Sequence, residues 1–455
     1  MTVREVCEAT AGRLLQGDPE VRVCGVSTDS RTLKPGQIFF ALKGPRFDGH
    51  SFVEEARRKG ASGAVIEREL RQEGGFPLIR VDSTLVALSR TASYWRQRLK
   101  GRIIGITGSC GKTTTREMIA QILLSGGKRV FSSPKNYNNH IGLPLSLLSA
   151  SSEHEVVVLE MGMSAPGELS HLSRIARPDI GVLTNIGPVH LERFRDIRGI
   201  QEAKAEILEG MGPDSILVYN ADDPLVEEIA KRFRGSRVSY GTSPSTLVRA
   251  RDMELSPHGT SLLLEGPFGR LRVQIRVPGD GGIYCSLAAS AVAHLLGIDP
   301  GAIQEGLEAF LPPPMRMRVK RIGDIRVIED AYNSNPMALR SALLVLSRCE
   351  GRKIAVLGDM AELGRWTPHY HREAGRWCAE LGIDHLFLLG EWSSFVAEGA
   401  RQGGFKGEIF MAGGHAELAS SLREFLHPGD WVLVKGSRRM EMEKVIEALE
   451  EVHAL

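Results

Sequence analysis

The chain has 455 residues, 42% of them hydrophobic and 25% charged, a composition typical of a soluble globular protein with about three domains. Its 57 Lys and Arg residues nearly balance 55 Asp and Glu residues, which argues against a nucleic-acid-binding protein. The N-terminus lacks the apolar core of a signal peptide, no apolar run is long enough to span a membrane, and six scattered cysteines without a CxxC pair indicate reduced thiols. We therefore predict a cytoplasmic protein without a zinc site.

The first predicted domain covers residues 1–100. Short strand-like runs at 37–44 and 63–67 are separated by Gly and Pro. The region ends in a predicted amphipathic helix, whose apolar residues recur at helical spacing: Leu85, Leu88, Ala92, Trp95 and Leu99. Gly101 follows this helix and marks the boundary.

The second predicted domain covers residues 101–313. Nearly continuous apolar runs at 102–107, 155–161, 179–185 and 215–220 are typical of strands buried on both faces of a mostly parallel sheet. Helical segments that end in glycine lie between them. The stretch at 237–278 alternates with period two, which predicts an antiparallel extension of the sheet.

The third predicted domain covers residues 314–455. Its boundary with the second domain lies within a proline-rich linker at 311–318, since consecutive prolines cannot continue a helix. Beyond the linker, apolar strands again alternate with helices, which predicts a second doubly wound, Rossmann-like α/β domain.

The sharpest local signal is TGSCGKTTT at 107–115, which follows a predicted strand and opens a helix. Glycines let backbone N–H groups turn toward phosphate oxygens, and the helix N-terminus adds positive potential. In such a loop Lys112 would reach the β- and γ-phosphates, and the Thr113 hydroxyl would bind Mg²⁺. Ile106 occupies the usual first glycine position, so we assign the turn to Gly108. The other interpretation is an ordinary glycine-rich turn. The predicted nucleotide-binding residues of this loop are Gly108, Ser109, Cys110, Gly111, Lys112, Thr113 and Thr114.

Two polar residues follow buried strands, where open α/β sheets bind ligands: Glu160 and His190. A carboxylate suits Mg²⁺, whereas an imidazole is an unusual second ligand. The alternatives are a solvated strand end and a loop histidine. Lys204 lies on a predicted helix soon afterwards, and on the pattern alone we interpret it as a solvated helix lysine.

Taken together, the motifs resemble the Mur ligase family over essentially the whole chain. The motifs are TDSR (28–31), PGQIFFALKG (35–44), FDGHSF (47–52), TGSCGKTTTREM, NYNNHIGLP (136–144), LEMGM, NIGPVHLE, EAKAEI, EDAYNSNP (329–336), VLGDMAELG (356–364) and VKGSR (434–438). Cys110 stands where the branch that adds the third residue usually has Asn, and the DNPR signature of that branch is absent. The chain is therefore most similar to the branch that adds a dipeptide.

The resemblance implies an α/β protein with three domains: a small N-terminal uridine-binding domain, a central P-loop ATPase domain with a mostly parallel sheet, and a C-terminal Rossmann-like domain. It implies ATP- and Mg²⁺-dependent ligation of D-alanyl-D-alanine to a UDP-N-acetylmuramoyl-tripeptide through an acyl phosphate, for peptidoglycan synthesis. We also expect a monomer, and the balanced charge predicts no nucleic-acid partner.

Two alternatives to this function stay open. One is another amino-acid-adding Mur ligase or a folylpolyglutamate synthetase-like ligase; FDGH argues against the folate enzyme, and KGSR and YNSNP argue against the other Mur ligases. The other is a P-loop switch that hydrolyses nucleotide, which would leave the first and last domains unexplained.

The resemblance also implies roles for single residues. Lys112, His190, Lys204 and Arg316 would be catalytic, and Asn185, Arg316 and Asp330 would join the loop in binding nucleotide. The metal ligands would be Thr113, Glu160, His190 and Lys204, the last as a carbamate. Substrate contacts would come from Ser30, Arg31, Gly44, Asp48, Gly49 and His50 in the uridine domain, from Asn138 and Asn139 beside the muramoyl peptide, and from Asn333, Asn335, Lys435, Ser437 and Arg438 on the dipeptide side.

One segment departs from the family pattern. Gly281, Gly282 and Cys285 stand where the family has His, Asn and Asn. We expect this segment to contribute fewer side-chain contacts to the nucleotide.

Overall fold

The computed structural model describes residues 1–70, 74–134 and 136–453. Within those ranges the strands form three sheets, of five, nine and six strands, which we call the N-terminal, central and C-terminal sheets. The part of the chain that forms each sheet and its helices is called the region of the same name. Throughout the same ranges, every helix is too short or too polar to cross a bilayer.

The N-terminal sheet has the strand order β1-β5-β4-β3-β2, with β1 antiparallel and the others parallel. Its elements are α1 (Val3–Thr10), β1 (Arg13–Gln16), β2 (Gly25–Ser27), β3 (Gln37–Phe40), α2 (Val53–Arg58), β4 (Gly63–Ile66), β5 (Leu78–Arg80) and α3 (Thr84–Arg96). The α1 helix begins with a capping box, because the Thr2 hydroxyl accepts from the Glu5 amide while the Glu5 carboxylate accepts from the Thr2 amide.

The predicted amphipathic helix is confirmed as α3, but its buried face differs from the predicted one. Leu88 and Ala92 are buried as expected, whereas Leu85 is 37% exposed. The buried stripe of α3 is completed by small residues that flank Leu88 on the helix surface. Leu85 therefore lies at the edge of this stripe. The Trp95 indole donates a hydrogen bond to the Ala150 carbonyl (2.8 Å) in the central region, so α3 joins the two regions.

The central sheet has the order β14-β13-β12-β11-β10-β9-β6-β8-β7. Its elements are β6 (Arg102–Thr107), α4 (Lys112–Ser125), β7 (Val130–Ser132), α5 (Gly142–Ser149), β8 (Val156–Glu160), α6 (Glu168–Ala176), β9 (Ile180–Leu183), α7 (Ile197–Ala205), β10 (Ile216–Asn220), α8 (Pro224–Arg232), β11 (Ser236–Gly241), β12 (Val248–Ser256), β13 (Gly259–Gly266), β14 (Gly269–Ile275), α9 (Asp280–Leu295) and α10 (Pro300–Ala309).

The antiparallel extension is confirmed for β13 and β14 but is wrong at its start. The β11 strand pairs parallel with β10, and β12 pairs parallel with β11. The α8 helix carries the chain back over the sheet between β10 and β11, and such a crossover produces the first of these parallel pairs. The strands β6, β8 and β9 are almost entirely buried, as predicted. Being parallel, they end at one edge of the sheet.

The C-terminal sheet has the order β15-β16-β20-β17-β18-β19, with only the β15 strand antiparallel among the described pairs. Its elements are β15 (Arg318–Ile322), β16 (Ile325–Asp330), α11 (Pro336–Ser347), β17 (Lys353–Gly358), α12 (Thr367–Glu380), β18 (His385–Leu389), α13 (Ser393–Gln402), β19 (Ile409–Ala412), α14 (His415–Phe425), β20 (Trp431–Lys435) and α15 (Glu443–His453). The second doubly wound unit is confirmed, and the preceding residues 311–317 form neither helix nor strand.

Candidate active site

A cavity of about 1500 Å³ lies at the carboxyl edge of the central sheet, where the C-terminal region faces it. Many predicted site residues line it: Ser109, Cys110, Gly111, Lys112, Thr113, Thr114, Asn138, Asn139, Glu160, Asn185, His190, Arg316, Asp330, Asn333, Asn335, Lys435, Ser437 and Arg438. Cavities at this edge of an α/β sheet are the usual ligand sites of such folds. Residues separated by up to 329 positions in the sequence, from 109 to 438, thus meet in one space.

The glycine-rich motif at 107–115, which we call the phosphate loop, connects the β6 strand to the α4 helix, as predicted. Gly108 has φ +152° and Gly111 has φ +81°, conformations that favour glycine. A Cβ on Gly108 would lie 1.8 Å from the Thr184 hydroxyl, so that no side chain fits there. The assignment of the tight turn to Gly108 therefore agrees with the local geometry.

A second loop, residues 184–187 after the β9 strand, holds the phosphate loop in place through hydrogen bonds. The Asn185 carboxamide oxygen accepts from the Cys110 amide (2.8 Å), and the Thr184 hydroxyl donates to the Cys110 carbonyl (2.7 Å). The Ser109 hydroxyl donates to the Gly187 carbonyl (3.2 Å). Asn185 lines the cavity as predicted, but its side chain supports the loop.

Lys112 begins the α4 helix, and its ammonium group donates to the Gly108 carbonyl across the loop (2.8 Å). Burial lowers the pKa of Lys112, although the nearby Glu160 carboxylate opposes this shift. A cation held at a helix N-terminus beside backbone amides attracts phosphate oxygens.

Glu160, the last residue of β8, is surrounded by donors. Its carboxylate accepts from the Thr113 hydroxyl (2.8 Å), the Asn138 carboxamide (2.8 Å) and the Arg116 guanidinium (3.4 Å). A carboxylate beside a hydroxyl at a phosphate loop is a donor set suited to Mg²⁺. Asn138, predicted to contact substrate, lines the cavity and also orients this carboxylate. Asn139 caps the start of the α5 segment, since its oxygen accepts from the Gly142 amide (2.9 Å).

Lys204 is 2% exposed, so its interpretation as a solvated helix lysine is wrong. It lies on the α7 helix between the buried Ile200 and Ile207, at spacings of four and three residues. That periodicity was the available signal for burial. The Lys204 amine is therefore a buried titratable group. Burial lowers its pKa well below the ordinary value, and the charge of Lys112 lowers it further.

His190 lies in the loop after β9 with φ +54°, an uncommon conformation for a side-chain-bearing residue. Its Nδ1 atom contacts the carboxylate of Glu362 from the C-terminal region. The contact with His190 lowers the pKa of Glu362. Over the described ranges, no three His, Cys, Asp or Glu side chains cluster as a metal site. A metal here would need further oxygens, such as nucleotide phosphates.

The C-terminal side of the cavity holds an internal ion pair. The Lys435 ammonium contacts the Asp330 carboxylate and also donates to the Asn333 carbonyl (3.0 Å). Burial raises the pKa of Asp330, although Lys435 opposes the shift. The Arg316 guanidinium stacks on the Tyr332 ring, 4.0 Å from its centroid. Residues predicted for separate ligands, Asp330 and Lys435, thus contact each other.

Asn335 connects the two sides of the cavity. Its oxygen caps α11 by accepting from the Ala338 amide (2.9 Å), while its amide lies 3.3 Å from the Cys110 sulfur. Nearby, the Ser437 hydroxyl is buried and has no hydrogen-bond partner within the described ranges. The Arg438 guanidinium pairs with Glu443.

The predicted uridine-domain residues do not line this cavity. His50 is buried: its Nδ1–H donates to Asp48 (2.6 Å) and its Nε2 accepts from the Glu67 amide (2.8 Å). A Cβ on Gly49 would lie 2.6 Å from the Leu42 carbonyl. These contacts organise the loop between β3 and α2.

The remaining uridine-domain residues have local partners. The Gly44 amide donates to the Phe47 carbonyl (2.9 Å), which closes the same loop. The Ser30 hydroxyl donates to Glu55 (3.0 Å), whereas the exposed Arg31 pairs with Asp29 (2.7 Å). Arg31 is therefore the most accessible charged group of the predicted set.

Sequence reasoning missed several side chains that line the cavity: Glu168, Tyr332, Arg340, Glu362, Tyr370 and Trp377. Two of them could have been predicted from the pattern of apolar strands. Tyr332 follows the strand that ends at Asp330, and Glu362 follows the strand end at Gly358. Both positions lie at the ligand-binding edge of a parallel sheet.

The segment that departs from the family pattern opens the α9 helix. A Cβ on Gly282 would lie 2.8 Å from the Val277 carbonyl, whereas a Cβ on Gly281 would face open space. The Cys285 sulfur lies 3.7 Å from the Gly111 carbonyl, against the back of the phosphate loop. Burial raises the pKa of Cys285 to about 11. This thiol therefore packs as a neutral group.

Comparison with known proteins adds an independent line of evidence. Three family models match: "Mur ligase family, catalytic domain" at residues 22–96, "Mur ligase middle domain" at 106–293, and "Mur ligase, glutamate ligase domain" at 315–438. The chain is 37% identical to the UDP-N-acetylmuramoyl-tripeptide–D-alanyl-D-alanine ligase of Bacillus subtilis, over 99% of this chain and 98% of that protein. The Escherichia coli protein of the same name is 31% identical over the same shares.

Solved structures give the same result. MurF from Acinetobacter baumannii superposes with a TM-score of 0.91 at 32% identity, covering 99% of this chain and 98% of that one. MurF ligase from Thermotoga maritima, solved in complex with ADP, superposes with a TM-score of 0.85 at 30% identity, covering 95% and 98%. The predicted three-part α/β fold and the predicted family are confirmed.

Proposed function

Because this chain belongs to the Mur ligase family, we propose that it uses ATP to join D-alanyl-D-alanine to a UDP-N-acetylmuramoyl-tripeptide. The product would be the muramoyl-pentapeptide precursor of peptidoglycan. The single observation that carries this proposal is the shared cavity, in which the phosphate loop around Lys112 faces Asn335 and Ser437 of the C-terminal region.

The chemistry explains why a phosphate loop is needed. A carboxylate is a poor acyl donor, because its leaving group would be strongly basic oxide. Transfer of the γ-phosphoryl group of ATP to the terminal carboxylate gives an acyl phosphate and ADP. The dipeptide amine then attacks the acyl carbon, and the tetrahedral intermediate collapses with loss of inorganic phosphate and a proton.

The protein's main task in this reaction is to neutralise and align charge. Lys112 would hold the β- and γ-phosphates, and Arg316, across the cavity, would stabilise charge that develops on the transferred group. The loop glycines and Thr114 would supply backbone N–H groups. Asp330, although paired with Lys435, lies at the strand end where a nucleotide ribose would approach.

The donor set also fits magnesium. Thr113 and Glu160 would hold one Mg²⁺ together with phosphate oxygens, and His190 and Lys204 would hold a second. The metal would supply Lewis-acid stabilisation of the phosphoryl oxygens. The lowered pKa of Lys204 favours the neutral amine, which is the form that attacks CO₂. A new N–C bond and the loss of one proton would then give an anionic carbamate. That group would supply the oxygen ligand that an amine cannot.

The three regions would divide the substrates among them. We propose that residues 1–100 bind the uridine diphosphate through Ser30, Arg31 and the 44–50 loop, that residues 101–313 bind ATP, and that residues 314–455 bind the dipeptide. The buried, unpaired hydroxyl of Ser437 and the nearby Arg438 support the last assignment, since a dipeptide offers both donors and a carboxylate. The 311–318 linker would act as the hinge.

The test is an assay of the purified protein with ATP, Mg²⁺, UDP-muramoyl-tripeptide and a set of candidate amines. We expect phosphate release only when tripeptide and D-alanyl-D-alanine are both present, with pentapeptide detected by mass spectrometry. Release with a single amino acid would indicate another amino-acid-adding ligase. Release without any amine would favour a nucleotide-hydrolysing switch and reject the proposal.

A further inference from the structure

Two loops from different regions meet at one edge of the cavity. The Glu192 amide, after β9, donates to the Glu362 carbonyl, after β17 (3.1 Å). Three residues further along each loop, the Arg365 guanidinium donates to the Arg195 carbonyl (3.3 Å). These hydrogen bonds join the central and C-terminal regions directly.

The same contact includes a side-chain pair. The carboxylate of Glu362 contacts Nδ1 of His190, whose side chain is only 24% exposed. We call these two side chains, with the backbone bond between Glu192 and Glu362, the interdomain latch. Glu362 thus contacts the central region through both its backbone carbonyl and its carboxylate.

Both halves of the latch have unusual backbone conformations. His190 has φ +54° and Glu362 has φ +63°, a range that side-chain-bearing residues seldom adopt. Gly364 has φ +53°, and a Cβ there would lie 2.8 Å from the Glu192 Cα atom. Conformations of this kind persist where surrounding contacts determine them, and they cluster at functional sites.

The loop that carries Glu362 is fixed from the C-terminal side. The Asp359 carboxylate accepts from the backbone amides of Glu391 (3.0 Å) and Trp392 (3.2 Å). His371 accepts from the Met360 amide through Nε2 (3.1 Å) and donates from Nδ1 to the Thr367 carbonyl (2.8 Å). The position of Glu362 is therefore set by the C-terminal region.

We propose that Glu362 is a positioning residue, which orients His190 only when the C-terminal region has closed on the central region. A carboxylate on Nδ1 fixes the imidazole tautomer and leaves Nε2 as the metal-binding atom. The metal part of this inference rests on the proposed role of His190, whereas the closure part does not.

The coupling has a chemical purpose. The dipeptide would arrive on the C-terminal region, and the nucleotide would be held by the central region. If His190 is oriented only after closure, the second metal site is complete only when water has been excluded from the reacting groups. This order protects an acyl phosphate from hydrolysis.

The test compares Glu362→Ala and Glu362→Gln with a control, Glu398→Gln. Glu398 pairs with Arg372 on the surface of the same region (2.9 Å), away from the cavity. Two quantities are measured with ADP bound: the affinity for Mn²⁺ by electron paramagnetic resonance, and the radius of gyration by small-angle X-ray scattering. Circular dichroism checks that each variant is folded.

We expect Glu362→Ala to weaken Mn²⁺ binding about 10–100-fold and to increase the radius of gyration. Glu362→Gln should recover part of both, since its carboxamide oxygen can occupy the same position beside Nδ1. Glu398→Gln should match the wild type. Because the Gln variant keeps the size and backbone of the loop, it provides the test if the Ala variant does not fold.

Wild-type Mn²⁺ affinity and compactness in a folded Glu362 variant would overturn the positioning role of Glu362. Failure of the wild type itself to bind Mn²⁺ would overturn the metal part of the inference. The proposed function has a separate readout. If the wild type makes pentapeptide while the Glu362 variants behave like it, the latch is wrong and the ligase assignment stands. If the wild type makes no pentapeptide but opens on loss of Glu362, the ligase assignment fails and the closure contact stands.

Discussion

Asp330 and Lys435 are direct cross-strand partners at the carboxyl ends of β16 and β20, and their charged groups pair inside the candidate site. The Lys435 side chain is 2% exposed and that of Asp330 is 13% exposed. Each therefore neutralises a charge that would otherwise be buried alone. Asp330 and Lys435, which are both predicted to bind ligands, therefore also have a structural role as a buried ion pair.

Loss of one partner should destabilise the fold. We expect Asp330→Ala to lower the free energy of unfolding by about 3–5 kcal/mol, because it leaves a buried ammonium unpaired. The double variant Asp330→Asn with Lys435→Met should be less destabilised than either single change. Urea unfolding followed by circular dichroism measures these differences.

The matched control is Asp324→Ala, which removes an exposed ion pair with Arg321. Such a pair contributes about 0–1 kcal/mol, so little change is expected. An Asp330 variant as stable as this control would show that the pair has no structural role.

Lys204 should respond to pH and to dissolved CO₂. Burial lowers its pKa, which raises the fraction of neutral, CO₂-reactive amine at a given pH. As the pH falls through that lowered pKa, the amine becomes protonated and the carbamate is lost. We expect activity to fall on the acid side and in CO₂-depleted buffer, and bicarbonate to restore it. Labelling with ¹³CO₂ and NMR would detect the carbamate.

Lys204→Ala should be inactive and insensitive to bicarbonate, while Lys231→Ala, which removes an exposed helix lysine paired with Glu227, should behave as wild type. Full activity of the Lys204 variant would contradict the carbamate proposal.

Removal of the loop cation should affect the chemical step. We expect Lys112→Met to reduce kcat by about 10²–10³-fold, the usual effect of removing one electrostatic contact to a transition state. Phosphate release under saturating ATP measures it. Thermal unfolding should show a folded protein, since Lys112 is half-buried and its one hydrogen bond is to a carbonyl of its own loop. An unchanged kcat would place the phosphates elsewhere.

Two neighbouring glycines at the start of α9 should respond in opposite directions. Gly281→Ala meets open space and should stabilise the protein by about 0.5–1 kcal/mol through the lower entropy of the unfolded chain. Gly282→Ala brings a Cβ within 2.8 Å of the Val277 carbonyl and should destabilise by about 1–3 kcal/mol. Equal effects in thermal unfolding would show that this crowding is relieved.

Local sequence was sufficient where the site depends on one strand–loop–helix unit. The phosphate loop and the strand-end position of Glu160 were predicted because both follow from composition over about ten residues. From the pattern alone Lys204 was wrongly interpreted as solvated, although its spacing from Ile200 and Ile207 placed it on an apolar stripe. The error came from weighing residue type above periodicity.

Other features could not be read from the sequence because they depend on distant pairing. Asp330 meets Lys435 only because β20 inserts beside β16 in the sheet order. His190 meets Glu362 only because two loops from different regions face each other. Neither contact has a signal in one sequence without an alignment.

The central claim is that the cavity around Lys112 transfers a phosphoryl group from ATP to a peptide carboxylate. Its most direct test labels the terminal carboxylate of the tripeptide with ¹⁸O and follows the label during a single turnover with ATP and D-alanyl-D-alanine. An acyl phosphate requires one ¹⁸O atom to appear in the released inorganic phosphate. Phosphate free of ¹⁸O, released while pentapeptide forms, would contradict the account.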